Sequence, residues 1–252
     1  MKKRIAFVHN AMWEMYNFRG ELLQELKAKG YEITVICPPD EKNAHYFTDL
    51  GIKLLTVPMS RKGTNIKEDL QLVKNLFKVY KKEKFDLVFH YTIKPNIYGT
   101  LAAKLAGIKS IAITTGLGYV FLHNNITSLI AKFMYKFSLA FANEVWFLND
   151  DDMNIFLDKD LITERQAFKL PSEGINTKRF VPKEKNRKDS KTVFLMIARV
   201  LYDKGFNEYL EAAKLIKAQR NDVEFQLLGA IDSGNPSGVP QSVVEDAVSN
   251  GF

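Results

Sequence analysis

One cysteine, Cys37, stands in 252 residues, so neither an intramolecular disulfide nor a cysteine-based zinc site is open to this chain. A reducing compartment is expected. Eight prolines and fourteen glycines are too few for collagen or a low-complexity polymer. With 46% hydrophobic and 26% charged residues, intrinsic disorder is excluded too. Long apolar runs are missing. The apolar stretch at residues 5–8 is far too short for the core of a signal peptide. The most apolar long window, residues 126–142, is interrupted by Lys132 and Lys136, whereas a spanning helix needs about 20 mostly apolar residues. The protein is expected in the cytoplasm, or peripherally on the inner face of the plasma membrane.

What is present alternates. Residues 4–9 form an apolar run, and residues 17–29 carry Phe18, Leu22, Leu23 and Leu26 at helical spacing before Gly30. A β-rich run at 31–37 closes on Pro38 and Pro39. The rhythm repeats as strand 51–58, basic helix 66–82, strand 85–91, helix 97–106, strand 110–114, a helix within 126–142 and strand 144–148. Strands separated by helices imply right-handed parallel βαβ units and an α/β fold. Residues 181–191 (VPKEKNRKDSK) are charged and lack an apolar period, and read as a linker. Beyond it the opening recurs: strand 192–198, helix 206–219, strand 223–229. The expected organisation is a complete Rossmann-like domain over 1–180 and part of a second over 192–252. One βαβ unit leaves open edges and a bare apolar face, so the natural protein is expected to continue past Phe252.

The net charge is +7, and residues 61–84 concentrate it, with eight cations against three anions. Such a run reads either as a solvated helix face or as a surface for an anionic partner. Nucleic acid is disfavoured, because no recognition motif or stacked-aromatic platform surrounds it.

Ligands of such folds bind at the carboxyl ends of the strands, which singles out four segments. HNAMWEMYNFRG, residues 9–20, lacks the GxGxxG that a dinucleotide site requires, as does the second opening. Both absences argue against a dehydrogenase. Its Arg19, near the first helix start, is placed to meet a phosphate or to remain an ordinary surface arginine. In HYTIKPNIYG, residues 90–99, His90 and Lys94 are candidate catalytic residues, with a hydrogen-bonded structural histidine as the other reading. In TTGLGY, residues 114–119, Gly116 and Gly118 permit close backbone approach to a ligand, or merely make a turn. In RVLYDKG, residues 199–205, Arg199 and Lys204 precede a helix N-terminus and form a candidate diphosphate site.

Taken in order, these segments resemble the family 4 glycosyltransferases of the GT-B fold. The resemblance spans nearly the whole chain. It rests on residues 16–38 (YNFRGELLQELKAKGYEITVICP), 94–99 (KPNIYG), 115–121 (TGLGYVF), 146–152 (WFLNDDD), 172–180 (SEGINTKRF) and 198–205 (ARVLYDKG). It implies a nucleotide-sugar transferase, retaining and without a metal or other cofactor, of the kind that builds capsule, O-antigen and lipid-linked oligosaccharides. The donor would be a UDP-sugar on the C-terminal domain, with Arg199 and Lys204 on its diphosphate. The acceptor, a saccharide or polyprenyl-diphosphate-linked precursor, would occupy the N-terminal domain, and Gly116 and Gly118 would line the interdomain cleft.

Two departures stand out. TTGLGY lacks the histidine that many members carry there, leaving His90 and Lys94 as substitutes. The family's two glutamates seven residues apart are also missing, and would lie beyond Phe252, so this chain is expected to lack most of its donor site. A bilayer-held acceptor gives the basic patch an anionic membrane surface as partner. Either helix 66–82 or helix 126–142 would lie at that interface, although the latter reads first as a buried helix. Were the chain to end at 252, a non-catalytic membrane-surface or sugar-binding module would be the competing reading.

Overall fold

A computed structural model describes residues 2–60, 65–117, 121, 126–184, 191–232 and 234–251. The chain divides into two compact units, Met1–Asn176 and Thr177–Phe252. Of the expected linker, residues 181–184 have no regular structure and 185–190 lie outside the described residues.

Among the described residues the first unit carries seven strands: β1 (Arg4–Val8), β2 (Glu32–Cys37), β3 (Lys53–Thr56), β4 (Leu87–Tyr91), β5 (Lys109–Thr114), β6 (Glu144–Phe147) and β7 (Ala167–Lys169). They form one sheet in the order β3-β2-β1-β4-β5-β6-β7, every pair parallel. The helices are α1 (Met12–Ala28), α2 (His45–Asp49), α3 (Ile66–Glu83), α4 (Thr100–Ala106), α5 (Ile126–Leu139) and α6 (Asp150–Asp158). Alternate residues of β1 serve opposite cores. Ile5 and Phe7 pack with Met12, Met15 and Leu23 of α1, whereas Ala6 and Val8 join Leu72, Leu76 and Tyr80 of α3. Burial on both faces is why these strands read as continuous apolar runs.

Several boundaries differ from expectation for identifiable reasons. Helix α1 starts at Met12, because Met12 and Met15 extend its buried stripe past the aromatic cluster that follows. Arg19 therefore sits well inside the helix rather than at its start. Helix α3 is capped by the Asn65 side chain, which accepts from the backbone N–H of Lys67 and Glu68, and ends on Lys84 in the left-handed region. Lys74, Lys78, Lys81 and Lys82 are exposed, so this much of the basic run is a solvent-facing helix face. The expected helix 97–106 is a π-helical turn, Pro95–Gly99, followed by α4. Helix α5 is buried on one face only: Tyr135 and Leu139 pack inward, whereas Ile126, Leu129, Ile130, Phe133 and Phe137 face outward.

The second unit repeats the opening. Strands β8 (Thr192–Ile197) and β9 (Val223–Leu228) pair in parallel around α7 (Phe206–Lys217), and α8 (Gln241–Ser249) follows. Its small core gathers Val200, Phe206 and Val239, with Leu210 and Leu227 against them.

Candidate functional site

The connections from β1 and β4 leave toward opposite edges of the sheet, so the crevice outside their carboxyl ends is the topological switch point. His9 follows β1 and is buried. The backbone N–H of Ala11 donates to its Nδ1 at 2.9 Å, which leaves the ring proton on Nε2, 3.8 Å from the Glu14 carboxylate. The imidazole lies tilted against Tyr91, the last residue of β4, with centroids 6.0 Å apart. Arg19 reaches the same ring from α1, its guanidinium 4.5 Å from the Tyr91 centroid. It is buried, not a surface arginine, and pairs with the Glu173 carboxylate. Glu173 follows β7, at the far edge of the sheet. Three residues on, the Asn176 amide donates to Glu21 of α1 at 2.6 Å. The segment after β7 thus returns across the strand ends to the first helix.

Three buried polar atoms in this region have no hydrogen-bond partner among the described residues: Arg19 Nε, Thr92 Oγ1 and Thr114 Oγ1. Thr92 follows β4 and Thr114 ends β5. The β4–β5 register pairs Tyr91 with Ile113, which brings the two threonines level. An unpaired buried donor or acceptor costs about 1–3 kcal/mol. Thr92 also has φ +71°, a left-handed conformation that a β-branched residue rarely adopts. Strain and orphaned polar groups at a switch point mark this crevice as the candidate ligand surface of the first unit. Beside them Gly116 has φ +135°, accessible to glycine alone without strain. Gly118 lies outside the described residues.

His90 and Lys94 have other work. His90 is completely buried and its Nε2 lies 2.9 Å from the Tyr80 hydroxyl. Burial holds its pKa down to about 3, so the ring stays neutral. A Cβ on Gly99 would come within 2.5 Å of it. The glycine of KPNIYG thus makes room for this ring. His90 is structural, and the general-base reading falls because its Nε2 is engaged by Tyr80 and a ring held at a pKa of about 3 is a poor base. Lys94 is buried and donates to Asp69 at 2.7 Å and Ser60 at 2.8 Å, while Tyr98 donates to the other Asp69 oxygen at 2.8 Å. This network borders a cavity of about 400 Å³, also lined by Lys67, Gln71 and Asn75. Lys94 is at a cavity wall but committed to an ion pair.

In the second unit, Arg199 and Lys204 both occupy the loop from β8 to α7. Arg199 is exposed, with Nη1 3.7 Å from the Asp232 carboxylate. Lys204, also exposed, closes a 3-10 turn just before α7. Gly205 at φ +86° redirects the chain into that helix, whose first N–H groups face the loop. Among the described residues, no group of three or more His, Cys, Asp or Glu side chains is placed to hold a metal ion.

Comparison with known proteins separates fold from chemistry. The chain superposes on a glycosyltransferase from Rickettsia africae with a TM-score of 0.64 at 20% identity, covering 99% of this chain and 65% of that one. For Anabaena HepE in complex with UDP-glucose the TM-score is 0.70 at 14% identity, with 98% and 65% covered. A UDP-N-acetylglucosamine 2-epimerase gives 0.64 at 15% identity, with 100% and 67% covered. These likenesses establish the α/β fold of GT-B type, which transferase and epimerase share. Sequence relatives are narrower. The chain is 33% identical, over 93% of its length and 65% of the relative's, to N,N'-diacetylbacillosaminyl-diphospho-undecaprenol alpha-1,3-N-acetylgalactosaminyltransferase of Campylobacter jejuni. It is 26% identical to UDP-Gal:alpha-D-GlcNAc-diphosphoundecaprenol alpha-1,3-galactosyltransferase of Escherichia coli, over 74% of this chain and 50% of that one. The chain therefore spans one half to two thirds of the length of these curated relatives. Residues 4–149, which hold the whole switch-point crevice except the returning segment, match the glycosyl transferase 4-like model, and the chain belongs to that family.

Proposed function

We propose that this chain serves a glycosyltransferase that moves a hexose or N-acetylhexosamine from a UDP-sugar to a saccharide carried on polyprenyl diphosphate. The observation that carries the reading is the 33% identity, sustained over 93% of the chain, to a transferase named for an undecaprenol-diphosphate-linked acceptor.

The two units supply different chemistry. On the β8–α7 loop, Arg199, Lys204 and the α7 N-terminus offer positive charge to the donor diphosphate. Fixed cations at that place stabilise the charge that grows on UDP as the glycosidic bond breaks, without a metal ion. Asp232 competes for Arg199 at 3.7 Å and has to yield when a diphosphate binds. In the first unit, the Arg19 Nε–H and the Thr92 and Thr114 hydroxyls, buried in this structure, suit the hydroxyls of an acceptor sugar once the crevice opens to it. Both relatives are named alpha-1,3 transferases. Ordinary UDP-hexoses are α-linked, so transfer of that kind retains the configuration. A polyprenyl acceptor lies in a bilayer, which sets the reaction at an anionic membrane surface.

The test offers the natural gene product UDP-N-acetylgalactosamine or UDP-galactose with an undecaprenyl-diphosphate-linked saccharide. Mass spectrometry of the lipid follows. Gain of one sugar residue, with UDP released only when both substrates are present, is the expected result. An unchanged lipid beside an isomerised UDP-sugar would move the protein to the epimerases that share its fold.

A further inference from the structure

The segment HNAMWEMYNFRG supplies more than Arg19. Residues 10–14 after β1, residues 38–40 after β2 and Met59 after β3 enclose a cavity of about 370 Å³. That volume falls within the range of small-molecule sites, about 300–1,000 Å³. Trp13 lines the cavity while half exposed, and Phe18 meets its ring edge-on with centroids 6.5 Å apart. An indole left half in water beside a cavity, and held at a fixed angle by a second ring, is preorganised to receive an apolar surface. Three polar side chains share the wall. Asn10 makes no side-chain hydrogen bond among the described residues. The Asn43 amide donates to one Asp40 oxygen at 2.7 Å, and the other oxygen is unclaimed among the described residues. Glu14 leaves 31% of its side chain exposed.

This lining selects among ligands. It holds two carboxylates and an amide, with no lysine or arginine. A phosphate or diphosphate is therefore repelled. Carboxylates only accept hydrogen bonds, so they call for a ligand rich in O–H donors, and bonds to a charged acceptor are the stronger kind. An amide both donates and accepts, which suits a hydroxyl in either sense. The indole face calls for C–H groups. A pyranose ring meets all three demands, because its hydroxyls ring the edge and its C–H groups gather on a face. A linear polyol has the hydroxyls without the face. Pro38 and Pro39 stiffen the β2 side of the cavity, so little ordering is left for the ligand to impose there.

We infer that this cavity is a subsite for one pyranose ring, stacked on Trp13 and hydrogen-bonded by Asn10, Glu14 and Asp40. The inference deepens the acceptor reading proposed above and rests on it for assigning the ring to the acceptor saccharide. His9 joins the two places. Its Nε2 lies 3.8 Å from the Glu14 carboxylate of the cavity, and its ring lies against Tyr91 of the crevice. Cavity and crevice are thus neighbours, and the acceptor that fills both carries more than one sugar.

The experiment follows the fluorescence of the 252-residue chain carrying Trp146→Phe, which leaves Trp13 as the one indole. Methyl galactoside and methyl N-acetylglucosaminide are the probes, with sorbitol, inorganic phosphate and UDP beside them. A saturable blue shift with a glycoside, absent with the other three, is the expected result, because the indole leaves water as the pyranose covers it. Asn10→Ala should weaken that binding about tenfold, the loss of one hydrogen bond. Asn10 has no side-chain partner to lose among the described residues, so circular dichroism should show the variant folded. No shift up to about 100 mM glycoside, roughly a hundredfold above a 1 mM Kd, overturns the inference. So does a shift that sorbitol reproduces or that Asn10→Ala leaves unchanged. A shift with UDP or phosphate gives the cavity to the donor and overturns it as well. No transfer enters the measurement. Glycoside binding by a protein that transfers no sugar keeps the subsite and removes the transferase reading. Transfer with an acceptor KM that Trp13→Ala leaves unchanged does the reverse.

Discussion

Strands β1 and β8 open the same kind of βαβ unit, yet they end in opposite environments. In β1, Ala6, Phe7 and Val8 are sealed between two layers of helices. In β8, Leu195 is 49% exposed and Ile197 70%, and Leu228 of the neighbouring β9 is 61% exposed. Both strands have the composition of interior parallel strands. What differs is the number of neighbours, because among the described residues β1 lies in the middle of seven strands and β8 pairs with one. Apolar composition records the cover a strand is suited to, whereas burial records the cover it has.

That contrast can be broken most forcefully in the cores. Phe156→Ala, at a ring packed against Phe121, Tyr135 and Phe147, should cost about 3–5 kcal/mol in denaturant unfolding. Lys94→Leu should cost about 3–5 kcal/mol by leaving Asp69 buried without its cation, and Lys94→Leu with Asp69→Leu should recover most of it. Chemical denaturation of the single and double variants checks this.

Next in size comes the β8–α7 loop. Arg199→Ala and Lys204→Ala should each lower kcat about a hundredfold or more in the natural gene product. The exposed ion pair contributes little to folding, so the melting temperature should barely move. A change in melting temperature without loss of turnover would contradict the assignment.

A pH effect sharpens the first unit further. His90 is held neutral with a pKa of about 3, against an ordinary value near 6.5. The unfolded chain therefore binds a proton that the folded chain refuses. The His90 contribution to stability is fully present above about pH 6.5 and is lost as the pH falls toward 3. His90→Gln should flatten the midpoint-versus-pH curve in that window relative to the wild type. Smallest of all, Ile197→Ser in β8 should shift unfolding by no more than about 0.5 kcal/mol. A core-sized loss there would show that β8 is as well covered as β1.

Much of the architecture was legible in the sequence because apolar period and punctuation agree with the fold. The helix over 66–82, the strands at 4–9, 31–37 and 110–114, and the recurrence after residue 191 all follow this rule. Strand β7 left no signal, since three residues (AFK) cannot display a period. The exposure of α5 was illegible for another reason: a helix apolar all round looks the same whether both faces or one is buried. Of the candidate site residues, Arg19 lies at the crevice and Gly116 follows β5 two residues on, while His90 lies in the core, because a strand-end histidine and a core histidine look alike in sequence. His9, Tyr91 and Glu173 were missed. His9 and Tyr91 did carry a signal, one just after and one ending a strand that flanks the switch point. Glu173 could be found only in three dimensions, because it meets Arg19 across 154 residues.

The most direct test of the crevice is Thr114→Val. The substitution keeps the shape of the side chain and removes a buried hydroxyl that has no partner among the described residues. A residue serving only the fold should then leave stability unchanged or raised, and ligand binding untouched. The crevice account predicts an equal or higher melting temperature together with weaker binding of the lipid-linked saccharide and unchanged affinity for the UDP-sugar. Unaltered acceptor binding would contradict it.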